Sequence, residues 1–273
     1  DSRGSGLSDR ESPDFSLEAR LRDIEAVREA MGFERVALIG SYHACLAAIG
    51  YAARYPERVT SLILDGPYAV GEEMYRISPR MKFIASLESV TEEQWDFVAT
   101  TMVNRMLGPD DPRAKDTKEI LLASIGPRDL LAFRDANKAV DVTGVLPLIT
   151  ARTLVVHRRV DDYLPMSVAR KVASLIPGAE LITLEAGDGP FLKDEAARTA
   201  AMRFLGIEPT NAGTTSSPQA PAGALRTVLF TDLVGHTVMM QRLGDVRGRD
   251  VLREHERITR EVLKANGGTE VKT

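Results

Sequence analysis

Four short strand-like runs, each followed by a helical pattern, leave few folds open to this chain. They are Val36-Ala37-Leu38-Ile39-Gly40, Val59 to Leu64, Thr153 to His157 and Glu180 to Leu184. Short apolar runs bounded in this way fit strands covered on both faces, as in a parallel sheet under helices. The helical patterns carry their own stops. Leu17, Leu21, Ile24, Val27 and Met31 recur near the 3.6-residue period, and Gly32 ends them. An Ala-rich stretch from Ala44 to Tyr55 halts at Pro56, and further helices are expected at Met166 to Leu175 and Glu195 to Phe204. Residues 1–206 therefore read as an α/β domain with a parallel sheet. Between the second and third runs, Pro67 to Ala151 is helical in pattern and too long for a loop, so a cap over about 67–151 is expected, with Trp95 in its core.

Composition changes abruptly after that domain. Residues 207–224 are Pro, Gly, Ala, Ser and Thr with one charged residue, Glu208, a flexible linker spanning roughly 20 to 25 Å root-mean-square. Residues 225–273 restart with a buried run, Thr227 to Thr231, then a helix broken at Gly244-Asp245 and closed by Asn266-Gly267-Gly268. The 35 basic and 39 acidic side chains leave a net charge of −4, which argues against a nucleic-acid surface or a polybasic membrane patch. The longest nearly apolar run, Ala44 to Ala53, is far short of the about 18 residues of a membrane span. One cysteine, Cys45, excludes an internal disulfide framework and suits a cytoplasmic setting. Because the chain opens at Asp1 without a methionine and stops at Thr273 in a strand pattern, both ends are read as cut and the chain as a fragment.

The run Val36 to Ala44, followed by Tyr51-Ala52-Ala53-Arg54-Tyr55-Pro56-Glu57-Arg58-Val59, resembles the strand, elbow and helix of the α/β-hydrolase family. Asp1 to Asp9 resembles the segment after an earlier central strand, and Leu154 to Asp161 the strand that delivers the acid. The resemblance implies a triad at three positions, and they hold Tyr42, Asp161 (with Asp162 a competitor) and Gly189. Ala44 replaces the closing glycine of the elbow, and Ser41 lies one place early. An acid with no imidazole to orient cannot activate a hydroxyl, so the domain is expected to be non-catalytic, a sensor or structural module. The other possibility is rewired chemistry using Ser41 or Tyr42 with His43, although neighbours at a helix start diverge. Cys45 is expected as a small buried hydrophobe and His157 as a structural hydrogen-bonding group.

Val228-Leu229-Phe230-Thr231-Asp232-Leu233-Val234-Gly235-His236-Thr237, with Arg242-Leu243-Gly244-Asp245 and Gly267 to Thr273, resembles the opening of class III nucleotidyl cyclase domains. The resemblance implies that Asp232 binds metal, with the Leu233 carbonyl as a further ligand. It places backbone amides of Val234, Gly235, His236 and Thr237 on the triphosphate, and Lys272 on the purine. Two Mg2+ or Mn2+ ions would activate the ribose 3′-hydroxyl and neutralise the leaving group; the second aspartate and the transition-state residues would lie past Thr273.

Taken together, the chain is expected to be an α/β-hydrolase-like domain joined to the start of an α+β cyclase domain. The whole protein would make cyclic AMP and pyrophosphate from ATP, or use GTP, as a homodimer. The rival is a cytosolic esterase-like α/β hydrolase with a vestigial cyclase segment; a third reading is a purely structural interaction domain.

Overall fold

The computed structural model describes residues 2–6, 8–9, 14–108, 110–161, 163–185 and 194–207, with helical positions 257, 260, 261, 264 and 265. The chain divides into two compact units, Asp1–Pro209 and Thr210–Thr273. In the second, Arg257 pairs with Glu261 one helical turn on, at 2.6 Å.

The first unit is built on a parallel sheet of four strands, β1 (Val36–Ser41), β2 (Val59–Asp65), β3 (Arg152–Arg158) and β4 (Glu180–Leu184), in the order β1-β2-β3-β4. β2 and β3 are buried almost throughout, as their apolar composition requires. Their register sets Leu64 beside Val155 and Asp65 beside Val156, so both strands deliver their C-terminal residues to one end of the sheet. At the other flank of β2, Ser41 of β1 pairs with Asp65.

Helices lie against the sheet where caps and glycines allow them. α1 (Leu17–Ala30) starts on Ser16, whose side chain accepts from the Ala19 amide, and Gly32 carries the chain away at a φ of 65°. α2 (His43–Arg54) follows β1 after one residue and is buried without interruption from Cys45 to Ala52, so it packs between the sheet and what covers it. In the insert lie α3 (Gly71–Ile77), α4 (Met81–Ala85), α5 (Glu92–Leu107), α6 (Ala114–Ser124) and α7 (Pro127–Lys138), then a 3-10 helix, Thr143–Leu148. A capping box between Thr91 and Gln94 starts α5, and Trp95 is buried in it. α8 (Met166–Leu175) joins α2 and the insert in the larger core, which includes Leu46, Ile49, Leu62, Leu64, Met74 and Val155. α9 (Glu195–Leu205) covers the opposite face, where Ile63, Leu154 and Val156 meet Ala197, Ala201 and Phe204. Among the described residues, no helix is long and apolar enough to cross a membrane.

Candidate functional site

One residue joins β1 to α2. Tyr42 makes that turn with φ 48° and ψ −111°, the one non-glycine residue at positive φ among the described residues, a conformation that costs free energy and must be held from outside. Three features hold it. The Tyr42 amide donates to the Asp65 carbonyl at 2.9 Å. Gly40 lets α2 come close: a Cβ there would lie 3.0 Å from the Cys45 Cα and 3.1 Å from the Ala44 carbonyl. Gly66, at φ 59°, leaves room for the Tyr42 ring, which a Cβ would approach to 2.7 Å.

From this elbow the phenol points to the loop after β3. Tyr42 Oη donates to Asp161 Oδ2 at 2.9 Å, and the ring lies 4.8 Å, centroid to centroid, from Tyr163. The other carboxylate oxygen, Asp161 Oδ1, accepts from the amides of Tyr163 at 2.7 Å and Leu164 at 3.2 Å. Burial, helped by the Asp161 charge, pushes the Tyr42 phenol well above its ordinary value, so it keeps its proton. Asp161 is thus the partner of a phenol.

Beneath the elbow, the strand ends carry a buried ionic group. Arg158, ending β3, donates to Asp65 Oδ1 at 2.9 Å and to Asp194 Oδ2 at 3.3 Å. Burial raises the Asp65 carboxyl, opposed by Arg158. Ser41, paired with Asp65 in the sheet register, also holds that carboxyl down. His157 sets Nδ1 2.7 Å from the Arg158 carbonyl, while its buried Nε2 lies 3.9 Å from Asp161 Oδ2 without a hydrogen bond. It is a packed group at the back of the acid. Cys45 is wholly buried and its thiol is pushed well up by burial, so it is the small hydrophobe expected of it.

His43 goes the other way. Its Nδ1 is 2.5 Å from Tyr68 Oη and 3.1 Å from Asn137 Nδ2, and its ring packs on Tyr75 and edge-on to Phe133. Burial, and then the nearby Arg20 charge, lower the imidazole to about 4. The structure thus brings Tyr42 and Asp161 together and leaves His43 in a separate cluster, so the rewired pairing of Ser41 or Tyr42 with His43 is not assembled. Asp65, Arg158, Asp194, Tyr68, Asn137 and Arg20 escaped the sequence reading. Only Asp65 left a signal there, as a carboxylate closing an apolar run.

The remaining expected site residues, Gly189 with its neighbour Asp188, Asp162, and the cyclase set Asp232, Leu233, Val234, Gly235, His236, Thr237 and Lys272, lie outside the described residues. Among the described residues, no group of three or more His, Cys, Asp or Glu could hold a metal ion.

A parallel sheet clothed by helices, a helical insert and a strained residue between strand and helix define an α/β-hydrolase fold. A family model described as the alpha/beta hydrolase fold matches residues 1–195, and the chain belongs to that family. It is 28% identical over 167 residues to a 2-hydroxy-6-oxo-6-phenylhexa-2,4-dienoate hydrolase of Burkholderia cepacia, covering 59% of this chain and 58% of that protein. The chain therefore spans 58% of the length of such curated relatives. Among solved structures, a hydrolase from Pseudomonas aeruginosa PA01 superposes with a TM-score of 0.62 at 21% identity, covering 76% of this chain and 78% of that one. An esterase from Rhodococcus sp. ECU1013 superposes at 0.61 with 20% identity, covering 76% and 79%.

These likenesses correct the reading of the chain as part of a nucleotidyl cyclase that makes cyclic AMP. The matched relatives are hydrolases, and they favour the rival reading, an esterase-like α/β hydrolase. The physical reason lies in how little the cyclase motif demanded: a carboxylate between a strand and a helix start is equally a helix cap, and it stood in a short segment against a match over residues 1–195.

Proposed function

We propose that the first unit takes small carbonyl compounds, of the ester and 2-hydroxy-6-oxo-dienoate kinds named for its relatives, at the elbow. Tyr42 meets them as a hydrogen-bond donor, its O–H turning from Asp161 to the ligand's carbonyl oxygen, and no acyl group passes to residue 42. The observation that carries this reading is the Tyr42 Oη to Asp161 Oδ2 bond of 2.9 Å at a strained elbow. The turn that presents a nucleophile is kept, while the group on it is a phenol whose proton is held by burial and by a neighbouring carboxylate.

Acyl transfer needs a base within reach of the attacking oxygen. His43 faces the Tyr68 cluster and His157 is packed behind Asp161, while residues 186–193 contain no histidine. The phenol can still donate to a carbonyl oxygen by exchanging its Asp161 partner for the ligand. The test mixes the 273-residue chain with p-nitrophenyl butyrate and with 2-hydroxy-6-oxo-6-phenylhexa-2,4-dienoate. Saturable binding of the dienoate, weakened by Tyr42→Phe, with no burst of p-nitrophenol, is expected. A p-nitrophenol burst with an acylated Tyr42 in the mass spectrum overturns the donor role, and a dienoate that does not bind overturns the substrate class.

A further inference from the structure

Behind the acid of the elbow lies a histidine with one unused nitrogen. His157 and Val155 share a face of β3, since side chains alternate along a strand, and Val155 belongs to the core built with α2 and α8. The imidazole is 1% exposed, and its Nδ1 is 2.7 Å from the Arg158 carbonyl oxygen. A carbonyl oxygen can only accept, so Nδ1 carries the hydrogen and Nε2 of the neutral ring is bare. Among the described residues Nε2 has no hydrogen-bond partner, and it stands 3.9 Å from Asp161 Oδ2. That is the separation of two atoms that both offer lone pairs and have no proton to share.

Asp161 Oδ2 already has a donor. Tyr42 Oη gives its hydrogen to that oxygen at 2.9 Å, while Oδ1 is served by the amides of Tyr163 and Leu164. Phenol and imidazole therefore address one carboxylate oxygen, the first with a proton and the second without. When the phenol hydrogen turns elsewhere, a carboxylate that is 3% exposed is left short of a donor, which is costly where water does not reach. A proton on Nε2 removes that cost, because an imidazolium N–H and a carboxylate form a charge-assisted bond once the gap closes by about 1 Å.

The elements around the ring offer that proton no other described carboxylate. α8 turns Val168, Ala169 and Val172 to the core and leaves Arg170 and Lys171 exposed. α2 brings Cys45, whose thiol bonds to backbone carbonyls, and β4 sets Thr183 in register with His157. Tyr163 packs its ring on that of Tyr42. Asp65 and Arg158 alternate to the α9 side with Ile63 and Val156, where they pair with each other.

We propose that His157 is a positioning residue of the elbow: it takes a proton at Nε2 when Tyr42 turns its O–H from Asp161 to a carbonyl ligand, and it holds Asp161 ionised in the phenol's place. The proton comes from solvent, the phenol keeps its own, and no bond between heavy atoms changes. The ligand-linked step rests on the reading of Tyr42 as a donor to carbonyl compounds, whereas the coupling of phenol, carboxylate and imidazole does not. Because the bound form holds more protons than the free form, binding tightens as pH falls.

Tyr42→Phe removes the phenol hydrogen and so imitates the bound state without a ligand. In the nitrogen-15-labelled 273-residue chain, the His157 ring signals, identified by their loss in His157→Asn, are followed from pH 8.5 to 5. Parent and Tyr42→Phe are both expected to carry the neutral ring's hydrogen on Nδ1, and the change to imidazolium should come about one pH unit or more higher in Tyr42→Phe. Coincident midpoints, a neutral ring with its hydrogen on Nε2, or a proton taken up in Tyr42→Phe by Asp161 in place of the ring overturns the proposal. A second measurement is calorimetric binding of ethyl benzoate, an ester with no titrating group, at pH 5.5 and 8.0. The parent should bind it about 5-fold or more tightly at the lower pH. His157→Asn, which keeps a donor for the Arg158 carbonyl and has no Nε2, should bind it equally at both. A pH dependence that persists in His157→Asn overturns the proposal. An ester that binds at neither pH overturns the reading of the elbow instead, and the ring signals, which need no ligand, still decide the coupling.

Discussion

Tyr42 and His43 stand side by side, and burial moves them in opposite directions, the phenol up and the imidazole down. His43 is held to about 4 against an ordinary 6.5, so between those values the unfolded chain binds a proton that the folded chain refuses. Its contribution to stability is whole above about pH 6.5 and is lost as pH falls toward 4, up to about 3 kcal/mol. Urea unfolding at pH 7.5, 5.5 and 4.5 should show the parent losing more stability than His43→Gln over that range. Parallel profiles would mean that the imidazole is not kept neutral. At Gly66 the space question is sharper, since a Cβ would meet the Tyr42 ring at 2.7 Å on a backbone at φ 59°. Gly66→Ala is expected to cost about 2 to 4 kcal/mol, adding a backbone penalty to a steric one. In a Tyr42→Gly background only the backbone part of about 1 kcal/mol should remain. An unchanged cost in that background would remove the ring from the explanation.

At the scale of elements, β2, β3 and α9 are tied at one end of the sheet by Asp65, Arg158 and Asp194. Asp194 has two tasks, because its side chain also accepts from the Ala197 amide and caps α9. Removing one member of a buried ion pair leaves the other uncompensated, so Asp65→Asn is expected to destabilise by about 3 to 5 kcal/mol. Asp65→Asn with Arg158→Met should recover part of that loss, as measured by urea midpoints at pH 7.5. If the double variant is worse by the sum of the two singles, the three groups are not coupled. The group was only half legible in the sequence. Asp65 interrupts an apolar run, whereas nothing local connects it to Arg158, 93 positions away.

For the whole unit, the outer edge of β1 is not paired by any described residue, and Ile39 on that strand is 42% exposed. A strand with free N–H and C=O groups and an apolar side chain is a template for another chain. The 273-residue chain is therefore expected to associate as its concentration rises, and Ile39→Lys should suppress this in sedimentation velocity without changing the urea midpoint by more than about 0.5 kcal/mol. A monomer at all concentrations would show that the edge is covered.

Element type and order followed from the sequence because they depend on neighbours a few residues apart. The period from Leu17 to Met31, the apolar runs at 59–64 and 180–184, and the stop at Pro56 sufficed for helices and strands in these places. The same local reading showed that residue 42 could not be a serine nucleophile. It erred where a short motif after residue 225 was read as a cyclase, because a carboxylate between a strand and a helix serves several purposes and only the extent of the likeness to other proteins separates them. What a side chain bonds to was decided by the tertiary structure. Tyr42 meets Asp161 across 119 positions, and Arg20 meets Asn137 across 117. Such pairs depend on how strands are ordered and where the insert folds back, and on the burial that then sets each group's charge. No periodicity along the chain records those distances.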